Sequence, residues 1–178
     1  MSAEEKIDIL DPAGKFLGFA KDRSEVHARG LWHRTVHIWV FDGERILFQK
    51  RSREKPNFSG FLDTSCAGHI SAGETSRVSG CRELEEELGL QRSPGELTYL
   101  FESGQQLSLC NGAYLDNEYY DAYRTDIRKE EISLLKPQPH EVESFRWFTR
   151  EELRAELAAH PEKFVPHPDD FRYLLGKQ

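Results

Sequence analysis

Residues 68–90 read GHISAGETSRVSGCRELEEELGL, and the rest of the chain is organised to position them. From Thr75 to Leu88 the stretch is rich in Glu, Leu and Arg and has no proline, which predicts a helix. Val78, Cys81, Leu84 and Leu88 recur at spacings of three and four, the mark of a stripe turned towards a core. Glu83, Glu86 and Glu87 stand at i, i+3 and i+4 and so share one patch of helix surface. Like charges that close repel, so a helix carrying them is weakened unless something offsets the charge. A hard divalent cation that prefers oxygen ligands, Mg²⁺ or Mn²⁺, would do so. The plain alternative is a solvated acidic face, which is what most charge runs are.

Spacing separates the two readings. Gly68, Glu74, Arg82, Glu83, Glu86, Glu87 and Gly89 fit Gly-x5-Glu-x7-Arg-Glu-U-x-Glu-Glu-x-Gly-U, with Leu84 and Leu90 at the aliphatic U positions. At about 5–7% usage per residue type, these identities coincide by chance roughly once in 10⁸ starting positions. The stretch resembles the Nudix box. The resemblance implies an α/β fold, an α/β/α sandwich with a mixed central sheet and the box helix on one face. It also implies hydrolysis of a diphosphate linked to some other group, with Mg²⁺ or Mn²⁺ as cofactor. A diphosphate repels an incoming hydroxide, so catalysis is mainly charge neutralisation and water placement. Carried over by position, Glu83, Glu86 and Glu87 are the expected metal ligands, and Gly68 adds a backbone carbonyl. Glu86 is also a candidate base. Arg82 and Glu74 match the family's ion pair, which orients the helix carboxylates. Gly89 is expected to stop the helix, and Glu85 to lie on the surface.

A chain of 178 residues is long enough for one domain with a real core and short for two. We expect a single domain over 1–178, with residues 1–30 as an N-terminal hairpin extension. The net charge of −7 argues against nonspecific nucleic-acid or anionic-membrane partners. No apolar run approaches the roughly 18 residues of a membrane span, and MSAEEKIDIL lacks a signal-peptide pattern. A cytoplasmic protein acting on a small-molecule diphosphate is the expectation. Cys66, Cys81 and Cys110 show no CxxC spacing and are expected to be reduced thiols.

Along the chain, residues 7–21 suggest two short strands around Pro12-Ala13-Gly14, and 22–32 read as polar and irregular. WHRTVHIWVFD (32–42) and RILFQKR (45–51) flank Asp42-Gly43, a strong hairpin signal. His33, Thr35, His37, Trp39 and Phe41 alternate onto one face of the first of these strands. A loop over 52–60 leads to a strand over Phe61–Ala67. Residues 97–108 and 116–126 are rich in strand formers, Val142–Phe148 is a last strand, and Thr149 caps a helix. A final helix runs from Pro168 or Asp169 to Leu175.

Outside the box, the basic strand end Gln49–Arg53 is by composition a solvated edge. With a diphosphate implied, Arg51 becomes a candidate for forked phosphate contacts, with Lys50 second because it faces the other way. Glu118 matches the further acid that Nudix hydrolases recruit from a later strand, as ligand or base. WHRTVHIWVF, FSGFLDTSCAGHI and LDNEYY together resemble one branch, type 1 isopentenyl-diphosphate isomerase and its hydrolase relatives. That resemblance implies a second possible metal site at His33, His69, Asp116 and Glu118, with His27 roughly in place. An isomerase needs a cysteine directly before Gly68-His69, where this chain has Ala67. Cys66 is one residue away, and on a strand that turns its thiol to the opposite face. With every box carboxylate kept as well, hydrolysis is the expected reaction. The alternatives are an isomerase and a Nudix-fold binding module.

Overall fold

Asp11 turns the chain back on itself in the computed structural model, which describes residues 4–176. Its carboxylate accepts the backbone N–H groups of Ala13 and Lys15, both at 2.9 Å. Strand β1 (Lys6–Leu10) then pairs antiparallel with β2 (Phe16–Asp22). Residues 1–3 and 177–178 of the expected 1–178 domain lie outside the described residues. The segment expected to be irregular is instead helix α1 (Arg23–Arg29), closed by Gly30 in the left-handed conformation. Polar composition concealed it because so few apolar positions hold it down. Val26 and Leu31 pack against Ile7 and Ile9 in a small core of their own.

β3 (His33–Asp42) and β4 (Arg45–Arg51) form the expected hairpin, with Gly43-Glu44 as its tight turn. The strand expected over 61–67 is broken in two. β5 (Leu62–Asp63) pairs with β4 and β6 (Cys66–His69) with β3. Between them Ser65 Oγ donates to the Leu47 carbonyl at 2.6 Å and accepts from the Val40 N–H at 2.8 Å. That hydroxyl bridges β4 and β3 and carries the chain from one to the other. Then come α2 (Ser76–Leu88), β7 (Thr98–Leu109), β8 (Tyr114–Asp126), the single turn α3 (Lys129–Ile132), β9 (Val142–Phe148), α4 (Arg150–Ala159) and α5 (Pro168–Leu174). The main sheet runs β5-β4-β3-β8-β7, with β6 added on β3 and β9 on β4. Among the described strand pairs only β3 and β8 run parallel, so the sheet is mixed.

β3 divides the interior. Val36, Ile38 and Val40 meet Leu84, Leu88, Leu90 and Leu97 beneath α2. Trp39 and Phe41 point the other way, with Phe48, Phe148, Leu153, Phe164 and Leu174 beneath α4 and α5. This is the expected α/β sandwich, with a mixed sheet and the box helix on one face. Within α2 the buried stripe is shifted from the expected one. Leu84 and Leu88 have no exposed surface, each contributing about 2 kcal/mol, while Val78 is 44% exposed. The helix comes close to the sheet at Gly80, where a Cβ would stand 3.0 Å from Ile38 Cδ1 and 3.2 Å from Leu97 Cδ1. The stripe therefore runs 80, 84, 88, and Glu87 rides along its edge.

Candidate active site

A cavity of about 860 Å³ opens between the second half of α2, the strands β3, β6 and β8, and the N-terminal extension. Three ways of building a strand or helix converge on it. On β6, alternation turns Ala67 and His69 to the cavity side, opposite His37 and Thr35 of β3. Gly68 turns to the helix side, where a Cβ would collide with the Glu83 carboxyl group. Glycine at 68 is thus what allows Glu83 to lie against the strand.

The box carboxylates differ in setting. Glu87 is 7% exposed and the Glu83 side chain 12%, whereas the Glu86 side chain is 53% exposed. Burial pushes the Glu83 carboxyl up to about 7. Burial and the neighbouring Glu83 charge push Glu87 up to about 8. The Arg82 guanidinium donates from Nη1 to Glu83 at 2.7 Å and lies 3.6 Å from Glu86. Its contact with Glu74 is longer, 3.8 Å, and Glu74 accepts from Ser79 Oγ at 2.6 Å. Arg82 therefore holds Glu83 directly.

The other end of the cavity gathers the histidines. His27 Nδ1 donates to the Leu115 carbonyl (3.3 Å) and His33 Nδ1 to that of Leu31 (3.0 Å), which leaves both Nε2 atoms facing inward. His27 Nε2 stands 3.0 Å from His69 Nε2, and His33 Nε2 stands 3.5 Å from Asp116 Oδ1 and 4.0 Å from Glu118 Oε2. Burial lowers the affinity of all three imidazoles for protons, His27 to about 4, and the His33 Nε2 atom has no hydrogen-bond partner among the described residues. Burial, then the Glu118 charge, raises Asp116. Glu118 is 5% exposed and accepts from Gln105 Nε2 at 2.6 Å. Ligating atoms of His27, His33 and His69 lie within 4.8 Å of one another, as do those of His33, Asp116 and Glu118.

Arg51 reaches the cavity, its Nη1 donating to Asp63 at 2.7 Å. Lys50 does not. Its ammonium pairs with Glu143 at 2.7 Å outside the cavity, because adjacent strand residues face opposite sides. The structure brings together Gly68, Glu74, Arg82, Glu83, Glu86, Glu87, His69, Asp116, Glu118 and Arg51 on one cavity, with His33 packed directly behind. It adds residues that sequence reading did not single out for the site, Glu5 and Arg23 of the extension, Lys55 and Phe58 of the loop, and Asp63 and His167, beside His37. His37 was legible, since it alternates with His33. His167 carries no local signal, because only the docking of the C-terminal segment brings it in.

Cys66 is buried on the helix side among Val36, Ile38 and Leu84, and burial, with the Glu87 charge behind it, raises its thiol well above the usual range. Ala67 is the residue that lines the cavity.

The family model "NUDIX domain" matches residues 31–168. Nudix hydrolase 3 of Arabidopsis thaliana is 36% identical over 96% of the chain, which spans only 22% of that relative's length. An uncharacterized Nudix hydrolase of Clostridium acetobutylicum is 34% identical over 98% of the chain and 86% of its own. An isopentenyl-diphosphate Delta-isomerase of Cereibacter sphaeroides is 28% identical over 82% of the chain and 79% of its own. Among solved structures, a Deinococcus radiodurans protein shares the fold, with a TM-score of 0.62, 20% identity, and 96% and 97% of the two chains covered.

Proposed function

The chain belongs to the Nudix family, on the branch related to type 1 isopentenyl-diphosphate isomerase, and from that premise we propose that it hydrolyses the diphosphate linkage of a small polar organic diphosphate with Mg²⁺ or Mn²⁺. The observation that carries this reading is the gathering of Gly68, Glu83, Glu86 and Glu87 on one side of a polar cavity that Arg51 enters from another. The site suits a cation on its own terms. Glu87 Oε2, Asp116 Oδ1 and His33 Nε2 are buried with no hydrogen-bond partner among the described residues. Unpaired buried carboxylates are costly, and a bound cation removes that cost.

Glu83, Glu86, Glu87 and the Gly68 carbonyl would hold the first ion. His33, His69, Asp116 and Glu118, with His27, form the candidate second site, whose nitrogen-rich donors suit Mn²⁺ better than Mg²⁺. When bound, the cation neutralises diphosphate charge and makes water more acidic. The chain's own groups do the rest. Arg82 holds the Glu83 carboxylate in place, with Glu74 behind it. Glu86, half exposed at the cavity mouth, takes the proton of the attacking water, and Glu118 is the alternative base. Arg51 steadies the substrate phosphates, helped by Arg23 and Lys55 on the same cavity. Residues 1–178 work as one domain, since the 1–30 extension supplies Glu5 and Arg23 to the wall. The expected setting is the cytoplasm; no helix among the described residues is long and apolar enough to cross a membrane.

Isomerase chemistry is disfavoured by Ala67, which puts a methyl group where that reaction needs a thiol. The test is a product-resolved panel of nucleoside diphosphates, nucleotide sugars, dinucleotides and prenyl diphosphates with Mg²⁺ or Mn²⁺. Hydrolysis releases phosphate or a monophosphate, and Glu86→Gln should cut it by about 10³-fold. An isomerised prenyl diphosphate, binding without turnover, or full activity in Glu86→Gln would each overturn the proposal.

A further inference from the structure

Another wall of the same cavity is built from imidazole. His37 of β3 and His167, just before α5, are 3% and 5% exposed, and their rings meet edge-on with centroids 4.7 Å apart. Asp170, in the first turn of α5, has no exposed surface and sets Oδ2 3.3 Å from His37 Nδ1. Ligating atoms of all three lie within 4.8 Å of one another.

Each is held from behind. His167 Nε2 donates to Asp63 at 2.8 Å, and Asp63 is itself fixed by Arg51 at 2.7 Å. Trp39 Nε1 donates to Asp170 Oδ1 at 2.7 Å, which leaves Oδ2 to the inside. Tyr120 stacks on the His37 ring with centroids 4.0 Å apart. A carboxylate behind the far N–H of an imidazole is the arrangement that orients metal-ligating histidines. With Nε2–H committed to Asp63, the His167 Nδ1 lone pair is buried and has no partner among the described residues. A polar atom in that position calls for a donor or a cation. The His37–Asp170 contact is also long for a charge-assisted hydrogen bond, which runs at about 2.7–2.9 Å.

We propose that His37, His167 and Asp170 form a site for a late first-row transition-metal ion, with Zn²⁺ the best match, separate from the carboxylate patch of α2. The donor chemistry sorts the ions: imidazole with one carboxylate suits Zn²⁺, whereas an all-oxygen patch suits Mg²⁺ or Mn²⁺. Three protein ligands leave a further coordination position, and His37 and His167 both border the cavity. The site stands or falls independently of diphosphate hydrolysis, because its readout is metal binding.

The experiment titrates Zn²⁺ into the metal-stripped full chain under saturating Mg²⁺, by calorimetry and by imidazole ¹H–¹⁵N spectra. The same titration in a His69→Asn background that also carries His33→Asn, the residue shared by the two other groups, silences both. A single equivalent should remain in that background, and the His167 Nδ1 resonance should move to its metallated position. Adding Asp170→Asn, which keeps an acceptor for Trp39, should weaken Zn²⁺ by about 100-fold, and Asp63→Asn by about 10-fold. Unmoved His37 and His167 resonances, loss of all Zn²⁺ in the His33→Asn, His69→Asn background, or unchanged affinity in a folded Asp170→Asn would overturn the proposal. The spectra of the unsubstituted chain decide alone should a variant fail to fold.

Discussion

A methyl group at position 68 would strike the Glu83 carboxyl group, so the glycine matters for what it leaves free. Gly68→Ala should displace that carboxylate and lower kcat/KM by about 100-fold, the cost of misplacing a catalytic group by roughly an ångström. Steady-state kinetics beside a thermal melt check this, and unchanged kcat/KM would show that Glu83 needs no such seat. The titration of Glu83 and Glu87 makes a second prediction. Their folded values, about 7 and about 8, lie above the usual 4.5. The metal-free chain therefore draws most stability from them below pH 4.5, and loses it as pH rises through 7 and 8. A cation favours the ionised forms and must displace their protons. Mg²⁺ should accordingly raise Tm by more at about pH 8.5 than at about pH 6, whereas equal shifts would place the ion elsewhere. At this scale the box was legible because its spacing is a local property of one helix. Arg51 and Lys50 were legible from strand alternation. His167 and Asp170 were not, since their role depends on a contact with β3 more than a hundred residues away in sequence.

The elements read from the chain are those whose signals are local. The Gly43 hairpin, β9 and the Thr149 cap appear where turn chemistry and capping put them. Helix α1 and the break between β5 and β6 do not announce themselves, because tertiary contacts decide both: Val26 against Ile7 and Ile9, and the Ser65 hydroxyl between two strands. The same lesson holds within α2. Counting apolar residues put Val78 on the core side, but close approach at Gly80 rotates the stripe and brings Glu87 under cover. One element is pinned by charge as well as by the apolar contact of Ile132 with the core. Arg92 grips Glu131 with a fork at 2.8 and 3.0 Å, the two side chains being 3% and 12% exposed, and ties α3 to the end of α2. The Arg92 hydrogen bonds draw the Glu131 carboxyl down to about 2. A depressed carboxyl contributes stability above its unfolded value and loses it as pH falls through its folded one. Glu131→Gln should therefore cost about 1–3 kcal/mol at neutral pH, a Tm loss of roughly 2–10 °C. The deficit should shrink as pH approaches 2; a deficit equally large there would mean lost packing, not lost charge.

At the scale of the whole molecule, no one layer owns the cavity. Its walls come from α2, from β3, β6 and β8, from Glu5 and Arg23 in the extension, and from the 52–60 loop, where Phe58 takes a φ of 52°. The extension is fastened to the sheet by backbone contacts, Leu10 N–H to Trp32 carbonyl and Ala72 N–H to Lys6 carbonyl, both at 2.8 Å. A ligand spanning the cavity thus touches segments that otherwise share few contacts, and binding should protect them together. A non-hydrolysable diphosphate with Mg²⁺ at 100 times its Kd stabilises the folded state by about 2.7 kcal/mol, a Tm gain of roughly 5–10 °C. Hydrogen exchange should slow in α1 and across residues 52–60 as well as in α2, because local opening of any wall would release the ligand. Protection confined to α2 would mean that substrate rests on the carboxylate patch alone, with Arg23, Arg51 and Lys55 as bystanders.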